Sequence, residues 1–176
     1  MVYAAEPGTF DADEVELLTQ LAGELAYGIT ALRTHAEQKV AEQALRQSEE
    51  QFRLIMDNLA DLVAVLDLHG HRLYNSPSYS HILGDPALLR GSSSFLEVHP
   101  EDRSRVEQAF QETVRTGVGQ RLEYRMLDQQ GEARHLESQG SVIRDEQGRV
   151  SKVVVVSRDV TARKRMEERL RHQALH

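Results

Sequence analysis

Between Asp11 and about Leu59 the apolar positions keep a helical rhythm. Leu18, Ala22, Leu25, Ile29, Leu32 and Ala36 are separated by alternating steps of four and three, and Ala41, Leu45, Ser48, Phe52, Ile55 and Leu59 repeat that spacing. Such steps return a side chain to the same helix face, and their alternation is the a/d signature of a coiled-coil seam. The flanking positions are rich in charge, and only Gly23 and Gly28 interrupt the run. The two seams are joined by a step of five, from Ala36 to Ala41. That phase break predicts either a local change of supercoil or a join between two helices. A narrow stripe of this length, bordered by charge, favours pairing with a second chain over packing on its own domain. The expected dimer seam is Leu18, Leu25, Ile29, Leu32, Leu45 and Phe52, in a parallel homodimer.

After Asn58 the pattern changes period. Leu62 to Asp67, LVAVLD, reads as a short strand, followed by a turn at HGH and a second strand at RLYNS. Asn75-Ser76-Pro77 predicts a helix start, with a polar N-cap and proline at the first helical position, and Gly84 ends that helix. Residues 85–94 read as a loop with one helical turn. His99-Pro100-Glu101-Asp102 opens another helix, with Val106, Ala109, Phe110 and Val114 on its apolar face and Gly117 at its end. Three strands follow. RLEYRML sets Leu122, Tyr124 and Met126 against Arg121, Glu123 and Arg125; the turns DQQGE and DEQGR bracket the next strand; VSKVVVVSRDV is the most β-branched stretch and predicts a central strand. From Thr161 the chain is helical again, with Met166, Leu170 and Ala174 on one stripe. The order predicts an α+β fold: a five-stranded antiparallel sheet with helices on one side, flanked by two long helices.

Composition narrows the chemistry. With no Cys among 176 residues, disulfides, thiol catalysis and Cys-based zinc sites are excluded. A net charge of −7 offers no basic footprint for nucleic acid. No apolar run is long enough to span a membrane and the N-terminus lacks a signal-peptide layout, so direct membrane contact is not expected and the reading is cytoplasmic. No G-x-S-x-G, P-loop or GGDEF sequence occurs within the chain, which is therefore not expected to be catalytic.

The stretch AEQALRQSEEQFRLIMDNLADLVAVLD resembles the entry into a PAS domain. Asn75, Gly84, the HPED run at 99–102, EYR at 123–125 and the D-x-T motif Asp159-Val160-Thr161 follow in that family's order. The resemblance covers roughly residues 48–163, and it implies a sensory domain with a concave sheet face under its helices. In the family, Asp159 and Thr161 would tie the sheet to the exit helix and carry the signal; from sequence alone Thr161 is a plausible N-cap of that helix. EPGTFDADEVELLTQLAGELAYGITALR resembles the last strand and closing helix of a GAF domain. RLRHQALH, with His172, Ala174 and His176, resembles the segment that leads into a GGDEF diguanylate cyclase domain, which makes cyclic di-GMP; a sensor histidine kinase is the alternative output. The expected division is 1–35 GAF-like remnant, 36–56 lead helix, 57–160 PAS domain and 161–176 signalling helix.

Of the eight histidines, His69 and His71 flank a turn, His81 is helical and His99 precedes a proline. None has the spacing of a metal site. Haem-binding members of the family take their iron ligand from the longer helix, where residues 103–116 contain no His, and flavin-photosensing members use a Cys, so haem and flavin are not expected. His135 stands where many family members carry an aromatic. The strand register being open, the candidate pocket-lining residues are Tyr124, Met126, Val154 and Arg125. A sensor needs a cavity for a small-molecule ligand, whereas a ligand-free dimerising spacer needs a sheet face filled by side chains.

Overall fold

The computed structural model describes residues 11–174. The chain divides into two compact units, Met1–Phe52 and Arg53–His176. The first is helical throughout its described part. Helix α1 (Ala12–Asn58) runs unbroken through the step from Ala36 to Ala41, so the phase break is not a join between helices. Its start is a reciprocal capping box: Asp11 Oδ1 accepts the Glu14 N–H at 2.8 Å, and Glu14 Oε2 accepts the Asp11 N–H at 3.0 Å. None of its residues is buried; Leu25 is 67% exposed and Leu32 72%. The strand expected of a GAF-like remnant falls on the first ten residues, outside the described ones.

The second unit is the expected α+β fold. Strands β1 (Leu62–Leu66), β2 (Arg72–Asn75), β3 (Arg121–Leu127), β4 (Ala133–Arg144) and β5 (Val150–Asp159) form one antiparallel sheet in the order β2-β1-β5-β4-β3. The valine-rich β5 is central, where both edges are paired and β-branched side chains pack on each pleat. Helices α2 (Pro86–Leu89) and α3 (Pro100–Thr116) lie between β2 and β3, and α4 (Thr161–Ala174) leaves the end of β5.

One local device recurs at three hairpins. In Asp67-Leu68-His69-Gly70, Asp128-Gln129-Gln130-Gly131 and Asp145-Glu146-Gln147-Gly148 the aspartate Oδ1 accepts N–H bonds from the residues two and four ahead, all at 2.8–3.0 Å. The glycine takes φ of +78 to +83°, where a side chain would be strained. D-x-x-G is therefore a structural turn signal in this chain, closing β1–β2, β3–β4 and β4–β5.

The segment after β2 departs from the expected helix. Residues Pro77–His81 form a single 3-10 stretch, and Ser76 does not cap it. The Ser76 hydroxyl instead accepts the Val63 N–H at 2.9 Å and pairs with Ser78 Oγ at 2.6 Å, while Ser78 donates to the Asp61 carbonyl. A fully buried hydroxyl is held by the neighbouring strand, which outbids the local cap. The core forms on one sheet face from Leu62, Ala64, Leu66, Met126, Leu136 and Val153, closed over by Tyr79, Ile82 and Phe110. Phe95 meets Phe110 edge to face, with centroids 5.4 Å apart.

Candidate functional site

The core is not completely filled. A cavity of about 80 Å³ lies between the sheet and α3. Its floor is Ala64 and Leu66 of β1, Leu122, Tyr124 and Met126 of β3, and Val153 and Val155 of β5; Phe95, Val106, Ala109 and Phe110 roof it. Exposed Gln120 also lines it, so the cavity reaches the surface beside the α3–β3 connection.

Tyr124 and Met126 line this space, as does Leu122 two residues before; Val154 and Arg125 do not. The pleat is the reason. Val153 pairs with Leu66 and Val155 with Ala64, which puts those valines on the cavity face and Val154 on the other. Arg125 belongs to the alternate set of β3, and its guanidinium is taken up by Asp102 at 2.9 and 3.0 Å and by Glu101 at 2.8 Å. This pairing holds the Asp102 carboxyl well below the ordinary carboxylate range and fixes the first turn of α3 on β3.

Among the polar groups on the cavity wall, Arg72 and Ser138 are held by hydrogen bonds, although the buried Arg72 Nε–H has no partner among the described residues. Arg72 is 1% exposed. Its Nη1 donates to Ser92 Oγ at 2.8 Å and to the Ser93 carbonyl at 2.9 Å, and its Nη2 donates to Glu97 at 2.7 Å. Across the floor, Ser138 of β4 pairs with Ser157 of β5 at 2.6 Å and donates to the Tyr124 hydroxyl at 3.3 Å. Burial, with the Tyr124 phenol next to it, pushes the Tyr79 phenol far above its ordinary value, so it stays protonated. Arg72, Tyr79, Ser138 and Ser157 carried no signal in the sequence. Their convergence depends on strand register, which places Ser138 opposite Ser157.

The second part of the site is the junction of β5 with α4. The Val160 N–H donates to the His135 carbonyl, the His135 N–H donates to Thr161 Oγ1, and the Thr161 N–H donates to Asp159 Oδ1, each at 2.8 Å. Thr161 is thus not the cap: Asp159 accepts the helix-opening N–H, and the Thr161 hydroxyl is spent on β4. Its 4% exposure explains the choice, because the His135 N–H would otherwise be buried without a partner. His135 acts through its backbone. Beyond the junction Lys164 reaches Glu123 at 2.7 Å, and Arg163 and Arg165 lie 3.8 and 3.9 Å from Glu137 and Glu132.

Among the described residues no three His, Asp or Glu side chains converge in a metal-binding arrangement. His99 caps α3 through Nδ1, 3.3 Å from the Glu101 nitrogen, and His71 sits 3.2 Å from Asp67 in the first D-x-x-G turn. Among the described residues no helix is long and apolar enough to cross a membrane.

The model of the PAS fold matches residues 56–165. In sequence the chain is similar to the uncharacterized protein y4lL of Sinorhizobium fredii, 27% identical over 142 residues. That alignment takes in 76% of this chain, which spans 17% of the relative's length. Among solved structures it resembles a sensory box histidine kinase/response regulator from Burkholderia thailandensis, with 26% identity, a TM-score of 0.54 and coverage of 70% of this chain and 95% of that one. It also resembles the PAS domain of a protein from Colwellia psychrerythraea, with 22% identity, a TM-score of 0.59 and coverage of 68% and 98%.

Proposed function

The chain belongs to the PAS family, and on that premise we propose that its sensory domain also dimerises and passes the state of its cavity through the flanking helices to a C-terminal output domain. One observation carries the reading. β5 lines the cavity at Val153 and Val155 and becomes α4 six residues after Val155, with the junction tied to β4 by two short hydrogen bonds and closed on itself by a third. A ligand that moves the valines moves the strand that launches the exit helix. The mechanism is a population shift: occupancy favours one of two arrangements of sheet and helix, and α4 passes the difference on. The chain itself relays and does not catalyse, and the reading calls on no haem or flavin.

The preferred output is a diguanylate cyclase, on the resemblance of the run from Arg169 to His176 to the segment that precedes such domains. Two cyclase domains must face each other to join two GTP molecules, which gives dimerisation a purpose. A histidine kinase output is the second reading, supported by the 26%-identical sensory box histidine kinase neighbour. In both, the seam of Leu18, Leu25, Ile29, Leu32, Leu45 and Phe52 joins two copies in parallel; these side chains are exposed in the single chain, which supports pairing.

Because the chain has no cysteine, Glu168→Cys gives one unique spin-label site on α4. Pulsed electron–electron resonance should show one defined distance between the two labels of a homodimer. A sample without dipolar modulation at high micromolar concentration would be monomeric, and the relay mechanism would fall with the dimer.

A further inference from the structure

We infer that the cavity takes a small neutral molecule, mostly apolar, that carries an oxygen acceptor, and that it rejects anions; this rests on the cavity being the sensing site. The first argument is charge. Among the described residues Arg72 is the only cationic side chain on the cavity wall; its Nη1 and Nη2 are taken by Ser92, Ser93 and Glu97, and its buried Nε–H has no partner. A carboxylate entering the cavity would find at most that one N–H, on a guanidinium whose charge is already paired with Glu97 at 2.7 Å, and would lose the rest of its hydration among Leu, Val and Phe side chains.

The second argument is the donor. Ser138 has one hydroxyl proton and donates it to Tyr124, so Ser157 must donate to Ser138. The chain of hydroxyls then runs in one direction, Ser157 to Ser138 to Tyr124, and ends on a phenol oxygen that accepts, leaving its O–H free to donate elsewhere. Such a chain polarises its last member and makes it a better donor. Tyr124 lines the cavity, and its O–H is the group that a carbonyl, ether or hydroxyl oxygen of a ligand would take.

The third argument is size. A dry cavity of roughly 150 Å³ accommodates benzene. At about 80 Å³, roughly half that volume, the present one limits an occupant to about three or four heavy atoms, well below a drug-sized ligand.

The test is amide-resolved NMR titration of the full ¹⁵N-labelled chain at pH 7 with acetone and with acetate, a neutral and an anionic probe of four heavy atoms each. Acetone should shift the amides of Met126, Val153 and Val155 saturably, and acetate at the same concentration should leave them unmoved. Tyr124→Phe, its fold checked by its own amide spectrum, should weaken acetone binding at least fivefold. Equal binding of acetate would overturn the neutral class while leaving the sensing site standing, and unchanged affinity in Tyr124→Phe would overturn the donor. If neither probe moves these amides the proposal fails. Xenon under pressure, which needs only an apolar space, then separates the two failures: shifts at the same amides keep the cavity as a ligand site, and their absence removes both.

Discussion

Asp102 is the residue whose loss should most directly unseat the cavity's roof. Its Oδ2 accepts the Arg125 backbone N–H at 2.8 Å and Nε–H at 3.0 Å, and its Oδ1 accepts Nη2–H at 2.9 Å, with the Arg105 guanidinium 3.8 Å away. The carboxylate is 12% exposed and the guanidinium 31%. Removing one partner of a buried ion pair costs about 3–5 kcal/mol. Here Arg125 keeps Glu101 at 2.8 Å and some water, so Asp102→Asn should cost about 2–3 kcal/mol. Urea unfolding followed by near-ultraviolet tyrosine dichroism would read this as a midpoint lowered by roughly 1 M or more at an unchanged slope. The pH dependence sharpens the test. Hydrogen bonds from Arg125, against the opposing effect of burial, depress the Asp102 carboxyl in the folded state. A depressed carboxylate contributes stability that is fully present above the unfolded-state value, about 3.9, and is lost as pH falls toward the folded value. The gap between wild type and Asp102→Asn should therefore be constant from pH 5 to 7 and shrink below about pH 4. A loss under about 0.5 kcal/mol, or a gap that persists undiminished at pH 2–3, would refute the reasoning.

Three further outcomes follow from the same geometry. Thr161→Val keeps the shape but strands the His135 N–H, so stability should fall by about 1–3 kcal/mol, and hydrogen exchange at the His135 amide should accelerate while β1 amides keep their protection. Gly119→Ala would drive a methyl into the carbonyl of Gly140, a residue held in place by its N–H donating to the Gln120 carbonyl, and should cost about 1–3 kcal/mol in thermal unfolding; Gly23→Ala, with open space around it, should cost nothing there. Ile29→Asp removes about 1.5–3 kcal/mol of burial from each chain of the proposed dimer, so sedimentation equilibrium should show a dissociation constant raised by roughly a hundredfold or more, with the sheet's unfolding unchanged.

Much of the fold lies in local pattern, and local physics explains why. The four-three rhythm from Leu18 to Leu59, the alternation of RLEYRML and the β-branched run in β5 each concern neighbours along one element, where periodicity alone decides which face is apolar. The three D-x-x-G turns are equally local, since an aspartate reaches only its own next few amides. So the α+β order, the antiparallel sheet and the central place of β5 were all legible before any coordinates.

What only the tertiary structure decided is how the elements meet. A strand run of Val153-Val154-Val155-Val156 contains no hint of which pair faces inward; the pairing of Val153 with Leu66 and Val155 with Ala64 decides it, and so excludes Val154 from the cavity. Arg125 looked like a pocket residue until Asp102, 23 positions earlier, claimed it. Thr161 looked like a cap until the buried His135 N–H required its hydroxyl. Ser138 and Ser157 are ordinary polar residues in the sequence, and they become a directed donor chain only because β4 and β5 place them opposite each other. A side chain's choice among partners is settled by which unsatisfied groups come within about 3 Å, and that distance is a property of the fold.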